Sequence, residues 1–504
     1  MIVALRPLAS VGPEARWDAA ARGTLAGFTI TVPIVAWAVD LGVALTASHV
    51  VAMVVMMLAA LVWVVIRRPF RMDFATFALA CFVALATVTV VRVLLGPDIV
   101  IFEESLHRKA VKQLVGLYFA LAFFVALRYI ADSFRLAPFL ARAHFWMTAV
   151  VAACTILQFF VALWDINSEL ANFPVYNTTL GETRRLGTGV LLYGFPRVSL
   201  TLVEPSRLGI YLLTGWGLWL YARNGEREGL SSGLLSLAAG ILLGAAVLMT
   251  GSRAAHVVFM MVAAGAVLLR PQRLARLALV VASIVVAAAL TGPWKAARIA
   301  ATLLPEEVPS AVTLPAQSRP VSESAAADSE FHKRIDRMVE ALEDRLIAVG
   351  AYSGISARHR IGSLVVALSV FRDYPLLGIG YGTSEFAMAL RYPQKEMGPI
   401  LGEGPHRPTM LGVHAVILAE TGVIGVLCIL IFVGSVCLTL VRTIRQGDAP
   451  TRALGWGMAA SLGGYAIAMT GQSIEVYQLL LVWPLLAIAL TLDPTTSRKN
   501  TPST

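Results

Sequence analysis

Apolar runs separated by short polar connections occupy most of the chain. A helix needs about 20 apolar residues to cross the hydrocarbon core of a bilayer. On this basis we predict twelve spans, and eleven is the alternative count because the first two share one apolar stretch. The predicted spans are residues 24–45, 48–66, 74–95, 112–131, 143–165, 207–222, 230–250, 254–269, 275–292, 420–441, 453–471 and 475–492. The pattern predicts an all-α, polytopic membrane helix bundle.

Arginine and lysine fall in every second connection between these spans. Cytoplasmic loops of membrane proteins are rich in these residues, so both termini are predicted to be cytoplasmic. Eleven spans would invert the pattern after the first loop, which favours twelve. No small-residue cleavage site follows a short apolar core at the start of the chain, so no removable signal peptide is predicted. The cytoplasmic cations include Arg67, Arg128, Arg135, Arg142, Arg223, Arg270, Arg442 and Arg452.

Two long outer segments interrupt the spans and divide the chain into four parts. Residues 1–165 hold the first five helices, and residues 166–292 hold the next four after an outer loop at 166–206. Residues 293–419 form a large outer loop, predicted to be flexible at 305–328 and helical over 331–372. Residues 420–504 hold the last three helices and a cytoplasmic tail.

Composition supports a membrane protein. The chain has 504 residues, of which 57% are hydrophobic and 14% are charged, whereas an average soluble chain is about 25% charged. Disorder is excluded because it requires low hydrophobicity. All four cysteines lie in apolar runs, outside any disulfide or zinc pattern. The net charge of +10 is attributed to cytoplasmic loops, so no nucleic-acid partner is predicted.

Ionisable residues near the outer ends of the spans are candidates for function, because such groups are costly in a membrane. Glu204 and Arg207 flank Pro205, where a chain dipping back toward the membrane would turn. The alternative is that they form only a helix-capping pair. Arg253 closes the Thr-Gly-Ser-Arg turn between two spans. The alternative there is an arginine that merely reaches the interface.

The large outer loop supplies further candidates. Arg360 opens an amphipathic helix, which leads into a Gly-x-Gly-x-Gly run at Gly378 that we interpret as a flexible turn and not as a nucleotide motif. His406 and His414 come before Glu420, which is placed at the outer hydrocarbon edge. Histidine can act as a general base near neutral pH. The alternative is a structural histidine paired with a carboxylate such as Glu403.

Four degenerate motifs follow one another in the order found in one known family. They are "FPRVSLTLVEPSRLGIYL", "LMTGSRAA", "RIGSLVVALSVFRDYPLLGIGYGTSEF" and "LAETGVIGVL", and they cover residues 190–440 approximately. Together they resemble the O-antigen ligase and O-antigen (exopolysaccharide) polymerase superfamily of multi-spanning membrane glycosyltransferases. The motif "EPSR" is slightly more similar to exopolysaccharide polymerases than to ligases.

The resemblance implies a metal-independent, cofactor-free glycan transfer at the periplasmic face of a bacterial inner membrane. The donor would be a polyprenyl-diphosphate-linked oligosaccharide, and the acceptor a hydroxyl of a glycan or glycolipid. Arg197, Arg253 and Arg360 match the family's diphosphate-binding arginines, and Glu204 and Arg207 are added as substrate-binding candidates. Besides the bilayer, chain-length or export proteins would be partners.

The family's catalytic histidine has no direct counterpart. Its usual position, about nine residues before the Glu of "AETG", is occupied by Leu411. His406 precedes Pro408, where a helix can begin, and is favoured as the base; His414 is the alternative.

Two other classes of function are compatible with the sequence. A secondary transporter of a small anionic solute would account for twelve spans and for charges such as Asp40. Its substrate site would be expected near the bilayer midplane, whereas the cations here cluster on one face. A non-catalytic assembly partner would tolerate substitution of the arginines.

Overall fold

The computed structural model describes a helical bundle with a few short strands. It describes residues 13–31, 38–40, 44–67, 72–101, 104–164, 174–177, 182–185, 191–192, 195–196, 205–222, 233–268, 273–291, 355–391, 410–469 and 476–492. The N-terminal helices are α1 (Pro13–Thr31), α2 (Ala47–Ile66), α3 (Phe74–Leu94), α4 (Leu106–Ser133) and α5 (Ala137–Trp164). The middle helices are α6 (Pro205–Ala222), α7 (Leu234–Met249), α8 (Arg253–Leu268), α9 (Arg273–Thr291), α10 (Ile355–Asp373) and α11 (Ser384–Arg391). The last are α12 (Val413–Gln446), α13 (Ala449–Met469) and α14 (Val476–Thr491).

The described helices agree with the predicted all-α membrane protein. Five of them are long and apolar enough to cross a membrane, within His49–Ile66, Phe74–Leu94, Leu106–Ser133, Ala137–Val161 and Val413–Gln446. Shorter apolar helices lie at Leu234–Met249, Ala254–Leu268, Leu274–Leu290 and Val482–Thr491. The total of twelve spans stays a prediction. The amphipathic helix expected from Arg360 onward is present as α10, whereas residues 305–354 lie outside the described part.

The first predicted span, 24–45, is wrong. The helix there begins at Pro13 and ends at Thr31, and Ala38–Asp40 then pairs antiparallel with Ala44–Thr46 as β1 and β2. Pro33 explains the early end, because a proline disfavours helical backbone at the residue before it. The apolar run was therefore continuous in composition but not in structure.

Other short antiparallel hairpins join the helices among the described residues. They are β3–β4 (Val100–Ile101 with Glu104–Ser105), β5–β6 (Pro174–Asn177 with Glu182–Arg185) and β7–β8 (Leu191–Leu192 with Phe195–Pro196). The last two fall within the outer loop predicted at 166–206. They are two-stranded, so the fold remains helical.

The core of the bundle surrounds α6. Every side chain from Arg207 to Leu220 in this helix is buried, as expected for a helix that is apolar on all sides. Trp216 stacks on Phe259 of α8 with ring centroids 4.2 Å apart. By contrast, large apolar side chains of α2 such as Met57 and Trp63 are about three-fifths exposed, as expected for a helix that crosses a membrane.

Candidate functional site

The Thr-Gly-Ser-Arg turn is a short, buried connection between α7 and α8. Thr250 and Ser252 are fully buried, and Gly251 has a positive φ of +67°. The Thr250 hydroxyl accepts a hydrogen bond from the Ser252 backbone N–H (3.3 Å), and the Ser252 hydroxyl accepts one from the Ala255 backbone N–H (3.3 Å). Ser252 therefore caps α8, and Arg253 is the first residue of that helix.

The first turn of α6 packs directly against this turn. A Cβ atom added at Gly209 would lie 2.5 Å from Ala255 Cβ and 3.1 Å from Thr250 Oγ1, so only glycine permits this approach. Arg207, one of the predicted site residues, is 7% exposed and lies close enough to Tyr465 of α13 to interact with it electrostatically. The structure thus brings the first turn of α6, which contains the end of the "EPSR" motif, against the "TGSR" turn.

Arg360 and His414 are positioned by a second pair of helices. The Leu411 backbone N–H donates to the Ser363 hydroxyl (2.9 Å), which joins α10 to the residues just before α12. Arg360 lies one helical turn before Ser363, and burial lowers its pKa from the ordinary value. His414, on the first turn of α12, is exposed. Leu411, at the family's usual histidine position, therefore lies between these two candidates.

The two pairs lie at the same end of the bundle. The Ser461 hydroxyl donates to the Thr214 carbonyl (2.6 Å), and Arg207 lies near Tyr465, so α6 and α13 are antiparallel. Only Gly447 and Asp448 separate α12 from α13. These two helices pack against each other and run in opposite directions. It follows that α6 and α12 are parallel, and α8 runs alongside α6. We call the end formed by the first turns of α6, α8 and α12 the site end.

The opposite end of the bundle carries described arginines that are predicted to be cytoplasmic, among them Arg128 and Arg452. Arg128, near the end of α4, pairs with Asp73 (2.6 Å), whose side chain caps α3. Burial raises the pKa of Asp73, but the hydrogen bond and charge of Arg128 and the hydrogen bonds from Thr76 together hold the pKa below its usual value. Arg452 donates to the Gly447 carbonyl (3.2 Å) between α12 and α13.

A feature that the sequence analysis missed is a break in α12 at Gly422, which has φ +61° and ψ −161°. In a continuous helix the N–H groups of Val423 and Ile424 would bond to the carbonyls of Ala419 and Glu420. Here those N–H groups donate instead to the Pro375 (2.9 Å) and Leu376 (3.3 Å) carbonyls.

The two carbonyls freed by the break are also occupied. The Ile379 N–H donates to the Ala419 carbonyl (2.9 Å), and the Gly380 N–H donates to the Glu420 carbonyl (3.0 Å). We call residues 375–380, with these four bonds, the clasp loop. Arg92 of α3 donates to the Gly378 carbonyl at its tip. The prediction that this glycine run is a flexible turn is therefore wrong, because its backbone is held on both sides.

Buried charges surround the end of the clasp loop. Glu420 is 4% exposed and accepts hydrogen bonds from the backbone N–H groups of Gly382 and Ser384, the latter at 3.0 Å. Lys109 of α4, 7% exposed, pairs with Glu385 and lies 3.5 Å from Glu104. It also interacts electrostatically with Glu420. Nothing in the spacing of these residues along the chain would have predicted this cluster.

Three predicted site residues lie outside the described part of the chain: Arg197, Glu204 and His406. For Arg253 the structure gives the backbone position. Across the described ranges, no group of three or more His, Cys, Asp or Glu residues is placed to hold a metal ion.

The turn before α8 and the first turn of α12 fall within a match to a known family. Residues 238–430 match the family model described as O-antigen ligase. The resemblance to the O-antigen ligase and polymerase superfamily is thereby confirmed for this part of the chain. The matched segment contains the Thr-Gly-Ser-Arg turn, α10, the clasp loop and the break in α12, and the "EPSR" motif precedes it. No curated protein matches the chain.

Proposed function

We propose that this chain transfers or polymerises a polyprenyl-diphosphate-linked glycan onto a hydroxyl of an acceptor glycan or glycolipid. The family match supports a membrane enzyme that transfers or ligates glycans. The observation that carries the finer proposal is that Arg207, Arg253, Arg360 and His414 all belong to helix segments at the site end.

A diphosphate is the ligand that this arrangement of charge favours. The guanidinium group offers a planar set of donors that matches two phosphate oxygens at once. The first turns of α6, α8 and α12 also point their N-termini toward this end, where the helix dipole is positive. Together these charges would stabilise the negative charge that develops on the leaving diphosphate, so the proposed transfer needs no metal ion.

A histidine would supply the base. In the proposed step, His406 or His414 takes the proton from the acceptor hydroxyl, and the oxygen attacks the anomeric carbon of the donor sugar. The bond from that carbon to the diphosphate oxygen breaks, and the electron pair leaves with the carrier. Attack opposite the leaving group inverts the anomeric centre.

The periplasmic side is favoured for this reaction by the distribution of charge. Arg67, Arg128, Arg442 and Arg452 lie at the end opposite the site end, and cytoplasmic ends are the ones rich in arginine. The proposal therefore places the active site in the periplasm and both termini in the cytoplasm of a bacterial inner membrane.

The test is a deletion strain complemented with the wild type, Arg253→Ala, His406→Ala or His414→Ala, with surface and lipid-linked glycans resolved on a gel. Arg452→Ala, at the opposite end, is the matched control. We expect Arg253→Ala to abolish the glycan product at unchanged protein level, and one histidine variant to behave like it. Normal glycans with Arg253→Ala would refute the assigned role.

The same gel separates the classes of activity. Single lipid-linked repeats that accumulate without long glycan would indicate a polymerase. Long polymer that stays on its carrier would indicate a ligase. An unchanged glycan profile in the deletion strain, with altered uptake of a small anion, would refute the proposed transfer and favour a transporter.

A further inference from the structure

The outer part of α12, residues 413–421, lacks two of the usual backbone bonds to the rest of its own helix. The break at Gly422 removes the bonds from the N–H groups of Val423 and Ile424 to the preceding turn. The clasp loop provides a partner for all four backbone groups. The orientation of the outer part of α12 therefore depends on the clasp loop.

Both sides of this contact are too close for any residue larger than glycine. A Cβ atom at Gly378 would lie 2.4 Å from the Ala419 carbonyl oxygen, and one at Gly422 would lie 2.4 Å from the Leu376 carbonyl oxygen. Both glycines have positive φ values, of +62° and +61°. The motifs "PLLGIG" and "AETG" thus form one structural unit, although 38 residues, 381–418, lie between them.

Glu420 holds the segment that follows the clasp loop. Its carboxylate accepts the N–H of Gly382 and the N–H of Ser384, the first residue of α11. The next residue, Glu385, pairs with Lys109 of α4. Through this chain of contacts Glu420 joins α12, α11 and α4. A single buried carboxylate therefore holds the segment between the clasp loop and α11 against α12.

The candidate site residues stand on the parts that this contact holds. Ala415 and Ala419 of the outer part of α12 pack with Val366, Ala367 and Val370 of α10. The bond between Leu411 and Ser363 joins the same two segments. A shift of the outer part of α12 would therefore move Arg360 and His414 together relative to Arg207 and Arg253.

We propose that Glu420 is a positioning residue for glycan transfer, which acts by holding the segment after the clasp loop, Gly382 and Ser384, against α12. It does not exchange protons with the substrate. Its carboxylate is needed as a hydrogen-bond acceptor that keeps the α10 and α12 part of the site in register with the α6 and α8 part. This inference rests on the proposed function.

The test compares Glu420→Ala with Glu420→Gln in purified protein reconstituted with a lipid-linked oligosaccharide donor and its acceptor. A misplacement of about 1 Å can cost about a hundredfold in rate, so we expect kcat of Glu420→Ala to fall by about that factor with little change in KM. Glu420→Gln retains one acceptor oxygen and should recover most of the activity with an unaltered pH profile. Ser435→Ala, which removes a hydrogen bond to the Ile431 carbonyl within the same helix, should match the wild type.

Two kinetic results would overturn the proposal. Full activity of Glu420→Ala would show that the contact is not needed. A Glu420→Gln variant as inactive as Glu420→Ala, with a lost limb in its pH profile, would indicate that Glu420 transfers protons.

Limited trypsin digestion separates this inference from the proposed function, because it needs no activity. Arg372 and Arg391 flank the clasp loop and α11. We expect faster cleavage there in Glu420→Ala, but not in Glu420→Gln or Ser435→Ala. If the wild type has no transfer activity but the variants show this digestion pattern, the proposed function is refuted and the positioning role of Glu420 is retained. Equal cleavage of all variants would refute the positioning role of Glu420.

Discussion

Gly422→Ala is the most direct test of the break in α12. An alanine at φ +61° and ψ −161° adopts a region used almost only by glycine, which costs about 1–3 kcal/mol. Its Cβ would also lie 2.4 Å from the Leu376 carbonyl oxygen. That oxygen accepts the Ile424 N–H, and the loss of this bond adds about 1 kcal/mol. We therefore expect a destabilisation of about 2–4 kcal/mol.

Gly434→Ala is a matched control on the same helix. A Cβ atom there meets nothing within 4 Å, and alanine is favoured over glycine in a helix by about 1 kcal/mol. Thermal unfolding in detergent can be followed by the reaction of the half-buried thiols Cys81 and Cys428. The midpoint should fall for Gly422→Ala and stay level or rise for Gly434→Ala. Equal midpoints for the two variants would refute the assigned backbone strain.

Two further predictions concern charged residues. Arg360→Ala should lower glycan transfer by tenfold or more, a loss of at least about 1.4 kcal/mol in transition-state binding. Arg372→Ala, on the exposed last turn of α10, should not lower it. Equal effects of the two substitutions would show that Arg360 does not belong to the site. Asp73→Asn should lower the thermal midpoint at neutral pH because it removes the charge paired with Arg128. The folded pKa of Asp73 lies below its ordinary value of 3.8, so its stabilisation is present above that value and is lost as the pH falls through the folded pKa. The difference between wild type and Asp73→Asn should therefore disappear in acid, and a difference independent of pH would contradict the assigned pair.

The positions of most described helices could be predicted because a long apolar segment favours a membrane-spanning helix by its composition. The span expected at 74–95 is α3 at Phe74–Leu94, and the one expected at 254–269 is α8 at Arg253–Leu268. The prediction of the first span is wrong because hydrophobicity does not reflect the effect of Pro33 on the backbone before it. In the same way α12 begins at Val413, seven residues before the predicted start at 420, because its outer part packs on α10 and not only in lipid.

The candidate site was predictable as a set of residue types but not as an arrangement. Arg253 and Arg360 stand out in sequence because cations are rare at outer membrane ends. The cluster of Glu420 and Lys109 does not, since its contacts join α12 with α11 and α4. The clasp loop was misread because a glycine with positive φ looks the same in sequence whether its neighbours are solvent or a broken helix.

The position of the arginines at the site end requires a physical explanation. A cation held at the end that the charge pattern marks as external is disfavoured by the positive-inside tendency, and Arg207 is also almost completely buried. Buried charges persist where they are paired or bind a ligand of opposite charge. Arg207 lies near Tyr465 on one side, and the turn at Thr250–Ser252 packs on the same turn of α6 on the other. In the proposed function, the diphosphate of the donor would supply negative charge to these arginines beside three helix N-termini.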